Sequence, residues 1–415
     1  MKKKIPSLTS NYATLISENA YFVDKTQFII KLEELNFKNL FFLRPRRFGK
    51  SLLLSMLEHY YGLQHKNRFD ELFGEYHVGK PGNSTPFRNS YHTLSFNFSA
   101  IETDKVANIV STFINSLMNG INQFRLDYGI LVKEEVDEIA SEDTATGVFH
   151  LFFAKLKQRG FDGKIYLFID EYDHFTNELF AFNTPHFKEI VSRNGWVRKF
   201  YEAIKIYMGE GLIDRFFATG VTPVTLDSMT SGFNVAQNIT IDYKFHEMAG
   251  FTESELRGMI ENTIYEEGKF NLDTVISDMR SWYNGSKFSK NADQKLYNPQ
   301  MVITFLAGFS DRFQYPDEMA DHNVTSDYKK ISNILAPLPP EVSNQIIQEV
   351  LETTKITERL TLQYNFELPY TKTEAVSLLY YNGLLTIEDA ILNSYNYVIP
   401  NYVIKQMYWE YFRFI

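Results

Sequence analysis

The chain has 415 residues, 44% of them apolar, enough for a sizeable core and two or three domains. It contains no cysteine, which excludes disulfides, thiolate zinc sites and a cysteine nucleophile, and its formal charge of −9 argues against whole-surface attraction to nucleic acid. The basic start MKKKIPSLTSNYATL has no apolar stretch behind it and no long apolar run follows, so a cytoplasmic location is expected.

The first predicted element is a helix carrying Phe28, Ile29 and Leu32, with Asp24 as its N-cap. A strand at Leu40 to Leu43 then runs into Arg44-Pro45-Arg46-Arg47-Phe48-Gly49-Lys50-Ser51-Leu52 and a second apolar run. That is a degenerate phosphate-binding loop between a strand and a helix. Such a loop needs backbone N–H groups on phosphate oxygens, a Lys on the β/γ-phosphates and a Ser or Thr hydroxyl on Mg²⁺. Gly49, Lys50 and Ser51 supply this half, whereas the first glycine of the pattern would fall where Arg44 stands. Taken alone, a basic turn with GKS is also what a solvated loop looks like. The basic cluster Arg44, Arg46, Arg47 and Lys50 is expected to face triphosphate rather than DNA.

A strand at His92 to Asn97 and a helix over Lys105 to Asp127 follow, and Phe149, Phe152 and Phe153 recur at core spacing rather than as a base-stacking platform. The stretch Lys164 to Glu171, KIYLFIDE, predicts a buried parallel strand at Ile165 to Ile169 with two carboxylates emerging at its end, where ligands of such sheets sit. Asp170 is the candidate Mg²⁺ ligand and Glu171 the group that orients or deprotonates the attacking water. After a helix at Trp196 to Met208, a strand at Phe216 to Thr219 places Thr219 and Thr222 near its carboxyl end; Thr219 is the preferred contact for the γ-phosphate or the lytic water. Ile239 to Asp242 is a fainter fifth strand. Strands alternating with helices predict an α/β parallel sheet covered on both faces.

These residues resemble the bacterial AAA-ATPase-like family, whose members usually carry a C-terminal PD-(D/E)xK nuclease-like domain. The matching blocks are Tyr21 to Thr26, Arg44 to Leu52, Phe168 to Asp173 and Thr219 to Val224, with Thr230 to Asn234, Gly250 to Thr252, Tyr283 to Gly285, Tyr297 to Pro299, Leu378 to Thr386 and Ile399 to Asn401 farther on. The resemblance implies a nucleotide-dependent machine and accounts for the missing first glycine, since RPRRFGKS is how that family looks at this loop. It also implies that Asp24-Lys25-Thr26 braces the nucleotide. The nuclease-like domain would begin near residue 415, so either truncation or loss of that domain is expected; Asp317, Asp327 and Lys329 are a poor match to its metal site.

Beyond about Lys244 helices dominate, beginning with a capping box at Thr252 to Glu255. They resemble an ATPase lid, with Arg257, Arg280 and Lys287 available for the γ-phosphate. Residues 225–238 hold no Lys or Arg, which leaves the usual arginine-finger position empty. From Thr371 to Asn401 a helix with Ala375, Leu378 and Leu379 precedes strands at Leu384 to Ile387 and Tyr397 to Ile399 around Leu392-Asn393-Ser394, a winged-helix pattern without basic residues between Thr373 and Asn401. The expected organisation is therefore a P-loop NTPase core over residues 1–245, a helical lid over 246–325 and a winged-helix-like unit over 326–415. The expected ligands are ATP and Mg²⁺, and the expected function is ATP hydrolysis driving or gating a conformational change. Alternatives are a slow nucleotide-dependent switch acting on a protein partner, and a DNA-handling component of a defence or mobile-element system. GTP and the oligomeric state stay open.

Overall fold

The computed structural model describes residues 2–182, 184–191, 195–224, 235–319, 329–364 and 369–413. Five parallel strands, β1 (Asn39–Leu43), β2 (His92–Asn97), β3 (Ile165–Asp170), β4 (Ile213–Gly220) and β5 (Gln237–Asn238), form one sheet in the order β2-β3-β4-β1-β5. The fold is α/β, as a P-loop NTPase requires. Parallel strands need crossover connections, and the helices in those crossovers cover both faces. Along β1, Leu40 and Phe42 belong to one core and Phe41 and Leu43 to the other; on β3, Tyr166 and Phe168 alternate with Leu167 and Ile169 in the same way. That period of two explains why each strand reads as a continuous apolar run.

The helix Val106–Tyr128 lies so close to β2 that a Cβ at Gly120 would sit 2.4 Å from the Ser95 carbonyl oxygen, so only glycine fits there. The helix Lys50–Tyr61 begins directly at the phosphate loop. The N-terminal helices Tyr12–Ser17 and Gln27–Glu33 share its core, with Tyr12 stacked on Phe73 and edge-on to Phe22.

Two expectations change. The fifth strand is Gln237–Asn238, because edge pairing with Leu40 and Phe41 of β1 sets its position, and Ile239 to Asp242 instead closes a turn through the Asp242 N–H to the Ile239 carbonyl. Asp24 does not cap the helix at Gln27–Glu33, which starts after Thr26; its carboxylate accepts from the Thr26 N–H, the Thr26 hydroxyl and the His77 N–H.

Beyond the sheet come helices Glu253–Thr263, Leu272–Tyr283 and Pro299–Ser310, started by the side chains of Thr252, Asn271 and Asn298. The predicted capping box is formed: Thr252 Oγ1 accepts from the Glu255 N–H, and the Glu255 carboxylate accepts from the Thr252 N–H. A second sheet is antiparallel, with β6 (Ile356–Glu358), β7 (Thr386–Ile391) and β8 (Ser394–Val398) in the order β6-β8-β7. Its third strand, β6, escaped sequence reading because three residues carry no period. One continuous core runs from the parallel sheet through these helices to Tyr408. Among the described residues no helix is long and apolar enough to cross a membrane.

Candidate functional site

The phosphate loop leaves β1, between β4 and the edge strand β5, and re-enters regular structure at Lys50. Gly49 is the residue before the helix and has φ +87°, a left-handed conformation that a side chain would strain. Arg47 also has a positive φ, of +71°. The start of the Lys50–Tyr61 helix, whose first N–H groups have no intrahelical acceptor, lines a cavity of about 310 Å³. Gly49, Lys50, Ser51 and Leu52 line it on one side. Lys50 is buried, donates to the Pro45 carbonyl at 3.3 Å and stands 3.4 Å from a carboxylate oxygen of Glu171.

β4 lies between β1 and β3, so its carboxyl end separates the loop from the two acids. Asp170 ends β3 and is buried; burial raises its pKa, and hydrogen bonds from Ser51 and Thr219 oppose that rise. The Thr219 hydroxyl donates to Asp170 at 2.6 Å, and the Glu171 N–H donates to the same oxygen at 3.0 Å. Glu171 has φ +53° and lines the cavity. A positive φ is unfavourable for a glutamate, and here it turns the side chain out of the strand toward Lys50. Thus Lys50, Ser51, Asp170 and Glu171, separated by about 120 positions in the sequence, meet at the carboxyl ends of the strands.

A model of the family described as "Predicted AAA-ATPase" matches residues 6–230, more than half of the chain and the whole of this constellation. The chain belongs to that family. Membership in the predicted AAA-ATPases implies nucleotide binding. The chain is also 25% identical, over 316 residues, to an uncharacterized protein in the vnfD 5′ region of Azotobacter chroococcum mcd 1. The alignment covers 72% of this chain and 51% of that relative, so the chain spans about half the relative's length.

The geometry corrects several expected roles for residues of this AAA-ATPase-like chain. Arg44 does not face triphosphate. It is fully buried; its guanidinium donates to the carbonyls of Leu43, Thr240, Phe245 and His246 and lies 4.3 Å and 4.2 Å from the rings of Phe42 and Phe288. It ties the end of β1 to the polypeptide beyond β5. Pro45 packs against Gly383, and Arg46 is exposed and donates to His174, whereas Arg47 and Phe48 do line the cavity. Thr219 buttresses Asp170 from a fully buried position instead of lining the cavity. The alternative sensor, Thr222, is committed to Asp173 and Asn177.

None of the three cations expected to serve a lid, Arg257, Arg280 and Lys287, lines the cavity. Arg257 pairs with Asp273, Arg280 pairs with Glu253 through two bonds of 2.6 and 2.7 Å, and the Lys287 ammonium lies near the Glu388 carbonyl. Residues 225–234, within the segment lacking an arginine finger, and Asp327 of the poor nuclease match lie outside the described residues, and Lys329 starts a helix.

Sequence reasoning missed the role of Asp173. Its carboxylate, fully buried, accepts from the N–H groups of Val221 and Thr222, the Thr222 hydroxyl and Asn177, which fixes the exit of β4 beside Asp170. Only its place in the FIDEYD block pointed to it. The apolar part of the cavity lining was equally hidden: Tyr21, Phe22, Val23, Met248, Phe251 and Met259 contribute to it from the N-terminal segment and from beyond the sheet.

Proposed function

We propose that the chain binds and hydrolyses ATP with Mg²⁺. The observation that carries this reading is that Lys50, Ser51 and Glu171 line a cavity whose lining is otherwise largely apolar, with Asp170 buried behind Ser51 and hydrogen-bonded to it. The N–H groups at the start of the Lys50–Tyr61 helix cradle phosphate oxygens, and Lys50 balances their charge. Ser51 and Asp170 would hold Mg²⁺: both offer hard oxygens and are hydrogen-bonded to one another. When bound, that ion supplies positive charge to the phosphates. Thr219 holds Asp170 in place, and Glu171 orients the attacking water and accepts its proton.

Steady-state ATP hydrolysis is compared with that of Glu171→Gln while bound nucleotide is quantified in both. Turnover lost in the variant with nucleotide retained supports hydrolysis and the base; absence of binding in both sinks the phosphate-loop assignment.

A second reading, a slow nucleotide-gated switch, is favoured by two observations. Lys50 and Glu171 face each other at 3.4 Å, which draws the base away from water. Gly383, after the helix Lys372–Tyr381, packs so tightly on Pro45 that a Cβ there would lie 3.0 Å from it, so a change in the loop meets the C-terminal unit directly. Tight binding with negligible turnover in both proteins supports this reading. We read the C-terminal unit as winged-helix-like and as a packing module: Ala375 to Tyr381 of its central helix are buried, which leaves that helix unable to enter a DNA groove.

A further inference from the structure

Lys25 lines the nucleotide cavity, as do Tyr21, Val23, Met248 and Met259, and is only 7% exposed. Its ammonium donates to both oxygens of the Glu255 carboxylate, at 2.6 and 2.8 Å. An ammonium has three donors. Two are spent on Glu255, and the third has no partner among the described residues. The backbone that presents it is fixed on both sides: Asp24 accepts from Thr26 and from the His77 N–H at 2.7 Å, and the Thr26 hydroxyl accepts from the Val78 N–H at 3.2 Å. Glu255 is fixed in turn, because the same carboxylate takes the Thr252 N–H in the capping box. A buried donor held this rigidly at a cavity wall calls for an acceptor on whatever fills the cavity.

The kind of acceptor follows from charge. Glu255 neutralises Lys25, and the carboxylates of Asp24 and Glu247 are close enough to act on it as well, so the group presents a directed N–H rather than a net cation and disfavours a phosphate beside it. Lys50 and Arg47, which line the loop side, serve an anion better. We propose that Lys25 is a specificity-determining residue that donates a hydrogen bond to the nucleoside half of the bound nucleotide, a purine ring nitrogen or a ribose oxygen, with Glu255 as its positioning partner. This rests on the nucleotide-binding reading above.

The test measures ATP and adenosine affinity, by competition against labelled ATP, for the wild type, Lys50→Ala, Lys25→Arg and the double variant Lys25→Met with Glu255→Gln, which removes both charges together. Thermal melting confirms that each is folded. Lys50→Ala is expected to weaken ATP and spare adenosine. The two Lys25 proteins are expected to weaken ATP and adenosine by the same factor, about tenfold, the cost of one hydrogen bond to a charged donor. A folded Lys25 variant that binds adenosine as the wild type does overturns the proposal, whether ATP is unaffected or weakened alone; the latter would assign Lys25 to phosphate. A wild type that binds neither ligand removes the nucleotide reading itself, a result separate from these.

Discussion

Arg44→Gly rewrites the loop as GPRRFGKS and restores, on paper, the first glycine of a standard phosphate loop. The structure predicts that this variant loses stability. Arg44 fills a fully buried position, satisfies the carbonyls of Leu43, Thr240, Phe245 and His246, and lies between two aromatic faces. Burial lowers its pKa to about 9, which leaves it charged at neutral pH. Removing the guanidinium leaves buried carbonyls without their donor, which costs about 1–3 kcal/mol for each one left unsatisfied, or about 4 kcal/mol for two of the four. A glycine at the new position adds up to about 1 kcal/mol of backbone entropy. With an unfolding entropy of about 2 cal/mol/K per residue over 415 residues, about 4 kcal/mol corresponds to a fall in Tm of roughly 5 °C. Thermal denaturation followed by circular dichroism, with Arg44→Met as a volume-preserving control that also loses the hydrogen bonds, measures it. An Arg44→Gly protein melting within about 1 °C of the wild type and binding ATP more tightly would show that position 44 belongs to the phosphate site after all, and the packing argument would be wrong.

Thr219→Val removes the hydroxyl that donates to Asp170 while keeping the shape; a stability loss of about 1 kcal/mol and a higher Mg²⁺ requirement for turnover are expected, checked by melting and by a magnesium titration. Arg280→Ala breaks an exposed ion pair with Glu253 and should leave the KM for ATP unchanged and stability within about 1 kcal/mol; a tenfold rise in KM would return Arg280 to the γ-phosphate. His246 supplies a pH dependence. Its Nδ1 accepts the Phe288 N–H and its Nε2 donates to the Gln294 carbonyl, an arrangement only the neutral ring can make, and burial followed by the nearby Arg44 charge lowers its pKa to about 4. The unfolded ring takes up a proton near pH 6.5 and the folded one resists until about 4, so this contribution is intact above pH 6.5 and declines as pH falls toward 4. His246→Gln should flatten that part of the stability curve, measured as Tm against pH; a curve parallel to the wild type would reject the assignment.

What the sequence determined by itself is whatever chemistry lies contiguous along it. The strands Asn39–Leu43 and Ile165–Asp170 were legible because a strand buried on both faces must be apolar at every position, and the candidate site was legible because Gly49-Lys50-Ser51 and Asp170-Glu171 stand at the carboxyl ends of those runs. Tertiary structure decided what depends on partners far away in the chain. The guanidinium of Arg44, which looks like one more cation of a basic loop, is taken up by carbonyls near residues 240 to 246 and by Phe288. The arginines expected to serve a lid, Arg257 and Arg280, are engaged by Asp273 and Glu253, while Lys25, held by Glu255 from 230 positions away, lines the cavity. Asp173, just beyond β3, and Thr219, near the end of β4, look alike as polar residues near strand ends, yet one anchors the turn after β4 and the other anchors Asp170. Hydrogen-bond and ion-pair partners are chosen by distance in space, and a residue's pattern along the chain carries no record of that distance.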